Sequence, residues 1–377
     1  MNKIIDFYRE HSISPVHQDI SNFEYHCARR EKLYRQLGMP TVVFNEAEVL
    51  EVGAGGGYNA VVLTQWNCHL SIVEPNETAQ REIIELFKKR NIKDYVLYKE
   101  TVEQHDGKKY DIVIAEGFLP TIENWPEVLN KLKDLVKENG ILVVTCQDEM
   151  GMFVERMKRL IGHIAVKNLV SYRDRVVKLS EIFKPQLKLL YGVSRPIEDW
   201  VQDQLLCEDF NFDNILDLKR AIQIVGEEWD ILGCSSPNFF VDYSWYKDVS
   251  YDYKKSYCEQ YDKKSYNLIM AGREEIDVSG IDVPMIRQSI DEIRRLEIIY
   301  ENMKQKTDGV IHKIIHELRN LLQMLKECDK EMAGFIKETI EILSSEIEKI
   351  NINDYPMFCK CFGRSQQYIS FVRKRIY

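Results

Sequence analysis

Val49-Leu50-Glu51-Val52-Gly53-Ala54-Gly55-Gly56-Gly57-Tyr58-Asn59-Ala60 is an apolar run that ends in a carboxylate and then in four glycines within five residues. A short apolar run bounded by glycine suits a buried parallel strand, and glycines directly after it allow positive φ and close approach of backbone to a ligand. The stretch therefore reads as strand, ligand loop and helix, with the ligand at the strand's carboxyl end. A dinucleotide fingerprint wants G-x-G-x-x-G, its third glycine packing helix on strand. Tyr58 stands at that sixth position, and the spacing is E-x-G-x-G-x-G instead. Glu51, two residues before the first glycine, points a negative group into the loop, which suits a cationic ligand better than a pyrophosphate.

With these residues the sequence resembles the class I S-adenosylmethionine-dependent methyltransferases, whose first motif has this form with the acid near the methionine amino group. That resemblance implies a Rossmann-like α/β fold with a seven-stranded sheet, S-adenosylmethionine as cofactor, and Glu51, Gly53, Gly55 and Gly57 among its ligands. The following segments agree. Leu70 to Val73 is a second apolar run ending in Glu74, roughly 20 residues beyond the loop, where an acid binds ribose hydroxyls in Rossmann-like sites. Tyr95 to Tyr98 gives a third strand before Glu100 and Thr101, which the resemblance places near adenine. Tyr110 to Ala115 gives a fourth ending in Glu116, which it places at the cofactor and the active centre. Pro126, then Val128, Leu129, Leu132, Leu135 and Val136 at helical spacing, then Gly140, read as a capped helix, and Ile141 to Thr145 as a fifth strand.

Composition narrows the partners. The 377 residues, 45% of them hydrophobic, suffice for a large core and more than one domain. A formal net charge of −9 lacks the basic footprint of a general nucleic-acid binder. Nine scattered cysteines give neither a disulfide framework nor a zinc module, so no metal is expected. There is no signal-peptide core and no apolar run near the roughly 18 residues a membrane span needs, so a cytoplasmic protein is expected.

Six regions are expected. Residues 1–45 form an N-terminal helical cap, broken at Gly38-Met39-Pro40. Residues 46–146 form the cofactor-binding core, which carries most of the resemblance. Residues 147–228 are a helical lid insertion, with Phe153, Met157, Leu160, Ile161 and Ile164 on one helical face. Residues 229–272 hold the last two strands, Trp229 to Gly233 and Tyr266 to Gly272, the final one antiparallel as the resemblance implies. Residues 283–350 are a module of three amphipathic helices, whose stripes must be buried against one another, the main domain or a second copy in a homodimer. Residues 351–377 are a tail whose Arg364, Gln366, Gln367 and Tyr368 could fold back toward an acceptor.

Several side groups invite chemistry. His17, Tyr25 and Tyr58 are acceptor-side candidates, with packing or surface as the alternative. Asp199 and Asp203 lie one helical turn apart, as a substrate-orienting or a salt-bridged pair. The aromatic stretch 239–246 suits a pocket lining or a core. His316-Glu317-Leu318-Arg319-Asn320 is similar to the phosphoacceptor box of sensor histidine kinases, with Leu321 in place of the usual proline, and autokinase activity is not implied. His312 and His316 are also one turn apart, but the H-E-x-x-H order is absent. The expected function is methyl transfer to an oxygen or nitrogen of a small-molecule acceptor. A macromolecular acceptor or a non-catalytic cofactor-binding sensor is the alternative. Should a base be needed, Glu116, His163 and His17 are the candidates, in that order.

Overall fold

The computed structural model describes residues 3–375 apart from 12–13, 15–16, 191, 208–214, 237–238, 240–244, 246, 249–251 and 304–307. The elements run α1 (Lys3–Glu10), α2 (Phe23–Gln36), β1 (Glu48–Val52), α3 (Ala60–Leu63), β2 (His69–Val73), α4 (Glu77–Lys89), β3 (Val96–Tyr98), β4 (Tyr110–Ala115), α5 (Trp125–Asp134) and β5 (Val136–Gln147). Then come α6 (Glu149–Ala165), α7 (Tyr172–Leu187), α8 (Ile197–Trp200), α9 (Leu218–Val225), β6 (Trp229–Cys234) and α10 (Tyr253–Lys264). The chain closes with α11 (Val283–Asn302), α12 (Asp308–Leu325), α13 (Lys330–Leu343), α14 (Pro356–Lys360) and β7 (Gln366–Arg373).

Two compact units result: residues 1–147, 212–260 and 366–377 form the first, and 148–211 with 261–365 the second. The first holds a seven-stranded sheet in the order β3-β2-β1-β4-β5-β7-β6, parallel throughout except for β7, which runs antiparallel to both neighbours. Val49, Leu50, Ile72, Val113 and Ile114 are fully or nearly fully buried, the burial that makes parallel strands read as continuous apolar runs. Val52 is level with Val73 on one side and Ala115 on the other. That register brings Glu51, Glu74 and Glu116 to the same edge of the sheet.

The last strand of the sheet is not where the sequence reading puts it. Tyr266 to Gly272 is not a strand: Ser265–Ile269 is a 3-10 turn in the second unit. The antiparallel strand comes instead from the C-terminal tail, Gln366–Arg373, wedged between β5 and β6. Both stretches are short apolar runs, which periodicity alone does not separate; the tail run carries Tyr368, Ile369, Phe371 and Val372, which suit a pleated position. Gly140 also differs from expectation. It lies inside β5 rather than beyond a helix, because α5 stops at Asp134 and the chain turns directly into the strand.

The expected lid and C-terminal module are one body in the second unit. Phe153, Met157 and Leu160 of α6 share a buried cluster with Ile286, Ile290 and Ile293 of α11, Leu318 of α12 and Phe335 of α13. Phe335 stacks on Phe358 at 5.7 Å and meets Phe153 edge-on at 6.0 Å. The apolar stripes are thus covered within the chain, so the packing demand that motivated a homodimer is met internally. Residues 212–228, expected in the lid, belong to the sheet unit.

Candidate functional site

The loop after β1 is shaped by glycine conformation. Gly53, Gly55 and Gly57 adopt φ of +70°, +53° and +78°, a region that costs other L-residues roughly 1–2 kcal/mol each. Gly53 is required for a second reason: a Cβ there would fall 2.7 Å from the Phe118 ring. The Gly53 N–H donates to Val73 O at 2.9 Å, fastening the loop to the end of β2.

Three buried carboxylates meet at this edge. Glu51 is 2% exposed, and its Oε2 has no hydrogen-bond partner among the described residues. Burial, with the Glu116 charge nearby, pushes its carboxyl up to about 8. Glu74 accepts the Gly55 N–H at Oε2 and the Asn76 N–H at Oε1, each at 2.9 Å. Burial outweighs those bonds and raises its carboxyl to about 7. Glu116 is bound by three donors: Arg30 Nη2 and Tyr34 OH (2.9 Å) at Oε1, and Asn59 Nδ2 (3.2 Å) at Oε2.

Sequence reasoning missed these partners of Glu116. Arg30 and Tyr34 follow His26 on α2 at intervals of four, so all three share a face, and all three are buried. His26 Nε2 lies 2.7 Å from the Tyr58 carbonyl. A carbonyl only accepts, so that nitrogen carries the proton; burial lowers the imidazole's proton affinity. A charged or polar residue every fourth position on the buried side of a leader helix was the available signal.

The other candidates are dispersed. His17 is bonded to Glu82 Oε1 at 3.1 Å and lies edge-on to Tyr58, whereas Tyr25 is 47% exposed. Glu100 Oε1 lies 2.7 Å from His105 Nδ1, and the Thr101 N–H donates to Gln104. Tyr368 of β7 lies beside Arg30 and Glu116, and burial pushes its phenol well up. His163 belongs to the second unit, its Nε2 at 2.6 Å from Leu205 O and 3.5 Å from Glu301. Asp203 pairs with Arg195 at 2.8 Å, the salt-bridge alternative. His312 and His316 are exposed on α12. Of the stretch 239–246, Phe239 is buried and Trp245 exposed, and the rest lies outside the described residues.

Comparison with known proteins completes this picture. Residues 26–188 match the family model described as methyltransferase domain. Those residues carry a methyltransferase domain. Its relatives include the ubiquinone biosynthesis O-methyltransferase of Rickettsia bellii, 25% identical over 37% of this chain and 59% of that protein. The protein-L-isoaspartate O-methyltransferase of Thermosipho melanesiensis is 26% identical over 33% of this chain and 63% of that protein. The chain thus spans under two thirds of the length of either relative. Among solved structures, PKMT2 from Rickettsia typhi is 15% identical, covering 62% of this chain and 49% of that one with a TM-score of 0.43.

The methyltransferase domain implies S-adenosylmethionine, and the residues fit it. A buried carboxylate with an unpartnered oxygen is costly unless a cation meets it, and Glu51 Oε2 is such an oxygen beside a left-handed glycine loop. No helix among the described residues is long and apolar enough to cross a membrane.

Proposed function

We propose that this protein transfers a methyl group from S-adenosylmethionine to an oxygen or nitrogen of a small-molecule acceptor. The observation that carries the reading is the buried Glu51 side chain beside the glycine loop, whose Oε2 has no hydrogen-bond partner among the described residues. When bound, S-adenosylmethionine supplies an electrophilic methyl carbon held on a sulfonium. Glu51 pairs with the ligand's ammonium, Gly53, Gly55 and Gly57 let the backbone approach it, and Glu74 takes the ribose hydroxyls. Glu100 and Thr101 contact the adenine, and Glu116 faces the acceptor. Much of the rate enhancement in such a site comes from alignment of the attacking atom and exclusion of water. The net charge of −9 and the acidic sheet edge favour an acceptor other than nucleic acid.

The test is calorimetric titration of the full chain with S-adenosylmethionine and S-adenosylhomocysteine, with NAD and ATP as controls. Micromolar binding of the first two alone is expected; preference for NAD or ATP would overturn the cofactor reading. Glu74→Ala should weaken both sulfur ligands by about tenfold, the loss expected for a hydrogen-bonded charged contact.

A further inference from the structure

We infer that Tyr368, carried into the sheet by the C-terminal strand, is the acceptor-selecting residue of this site, and that its hydroxyl selects a hydroxyl acceptor over an amine. The inference rests on the cofactor reading above and narrows its acceptor class.

Strand register sets the position. Ala115 of β4 is level with Val144 of β5, and Thr145 of β5 with Tyr368 of β7. Glu116, Thr145 and Tyr368 therefore form one row across three neighbouring lanes, and residues level on adjacent strands share a face. Because β7 runs antiparallel, its first residues reach the same edge of the sheet as Glu51 and Glu74. A cofactor spread over the ends of β3, β2 and β1 leaves the ends of β4, β5 and β7 for the acceptor. Ser235 holds the Tyr368 backbone there twice: its Oγ accepts the Tyr368 N–H and its N–H donates to the Tyr368 carbonyl, each at 2.9 Å.

The hydroxyl has one role left. A phenol offers one hydrogen and two lone pairs. The Tyr368 oxygen receives Gln366 Nε2 at 2.9 Å and is hydrogen-bonded by Arg30, which has only hydrogens to give. Burial, with the Glu116 charge nearby, holds the proton on the phenol. Two donors fill the lone pairs, so the O–H of this half-buried side chain is left to donate to a further group.

Lone-pair count then separates the acceptors. The nitrogen of a neutral amine has one lone pair, and attack on the methyl carbon consumes it. A hydroxyl oxygen has two, so it receives the Tyr368 hydrogen on one and attacks with the other. The same hydrogen bond favours the ionised oxygen. The acceptor's proton leaves to water, and the new O–C bond forms as the bond from the methyl carbon to sulfur breaks. That bond's electron pair stays on sulfur, so the oxyanion and the sulfonium become a neutral ether and a neutral thioether.

The experiment measures binding of 4-nitrophenol and its near-isostere 4-nitroaniline to the full chain saturated with S-adenosylhomocysteine, at a pH where the phenol is partly ionised. 4-Nitrophenol is expected to bind about tenfold tighter or more, the gain of a hydrogen bond to a charged oxygen, and to gain phenolate absorbance on binding. Tyr368→Phe keeps the ring and should bring the two affinities within about twofold, abolish the absorbance gain and leave S-adenosylhomocysteine affinity unchanged. Equal or tighter binding of 4-nitroaniline to the wild-type protein, or binding of neither probe, overturns the hydroxyl assignment without recourse to any variant. A preference that persists in Tyr368→Phe protein able to bind S-adenosylhomocysteine overturns the role of Tyr368. Failure of S-adenosylhomocysteine to bind the wild-type protein overturns the cofactor reading and this inference with it.

Discussion

The sheet unit and the helical unit both bury carboxylates, but Glu51 of the first and Glu301 of the second stand in opposite surroundings. In the helical unit, Glu149, Glu297 and Glu301 stand among Arg156, Arg159 and Arg294. Arg156 reaches Glu149 at 3.4 Å and Glu297 at 3.3 Å, and Arg159 reaches Glu301 at 2.6 Å. Burial acts to raise the Glu301 carboxyl, yet Arg159 and His163 hold it below its usual range. In the sheet unit, Glu51 Oε2 has no hydrogen-bond partner among the described residues, and burial pushes the carboxyl up to about 8. A buried acid met by arginines within its own unit holds helices together. One left unmet beside a glycine loop waits for a cation from outside.

The sharpest way to break this comparison is at the loop itself. Gly53→Val places a branched side chain at φ +70° against Phe118 and should abolish cofactor binding, a loss of about 100-fold or more by titration. Retained affinity would remove the loop from the site.

Arg156→Met tests the helical side. It leaves Glu149 and Glu297 buried without their shared partner, and should cost about 3–5 kcal/mol in urea unfolding. Cofactor affinity of the folded fraction should not change.

Glu51→Gln should behave the other way round, weakening S-adenosylmethionine by about tenfold or more while raising the melting temperature of the ligand-free protein. A fall in melting temperature would show that Glu51 is part of the scaffold.

The same comparison can be sharpened through pH dependence. The folded-state proton affinity of Glu51 is raised, from 4.5 to about 8. Its contribution to stability is therefore fully present below about pH 4.5 and is lost as pH rises toward 8, by at most about 1.4 kcal/mol per pH unit. Over the same window ligand affinity should rise with pH, since the cation needs the ionised form. Glu51→Gln should remove that site's contribution to both slopes.

Much of the fold was legible because the core repeats one local pattern. Val49 to Val52, Leu70 to Val73 and Tyr110 to Ala115 are buried parallel strands whose apolar runs end in or run straight into Glu51, Glu74 and Glu116, and they lie in β1, β2 and β4. The helical stripes of α11, α12 and α13 were equally plain from their spacing. What was not legible depends on partners far away in sequence. Tyr266 to Gly272 and Gln366 to Arg373 have similar local credentials for a strand, and the open lane between β5 and β6 is filled by the second. Periodicity gives no information about which lane is vacant.

The sequence by itself determined the glycine loop, the strand-ending acids and the amphipathic helices, because φ preference, burial of apolar runs and helical spacing act over a few residues. Only the tertiary structure decided that residues 148–211 join 261–365 in one unit, and that Arg30 and Tyr34 meet Glu116 across 86 and 82 residues. Those outcomes turn on which distant surfaces exclude water together and which charges that exclusion leaves facing one another, and no local window of the chain contains both partners.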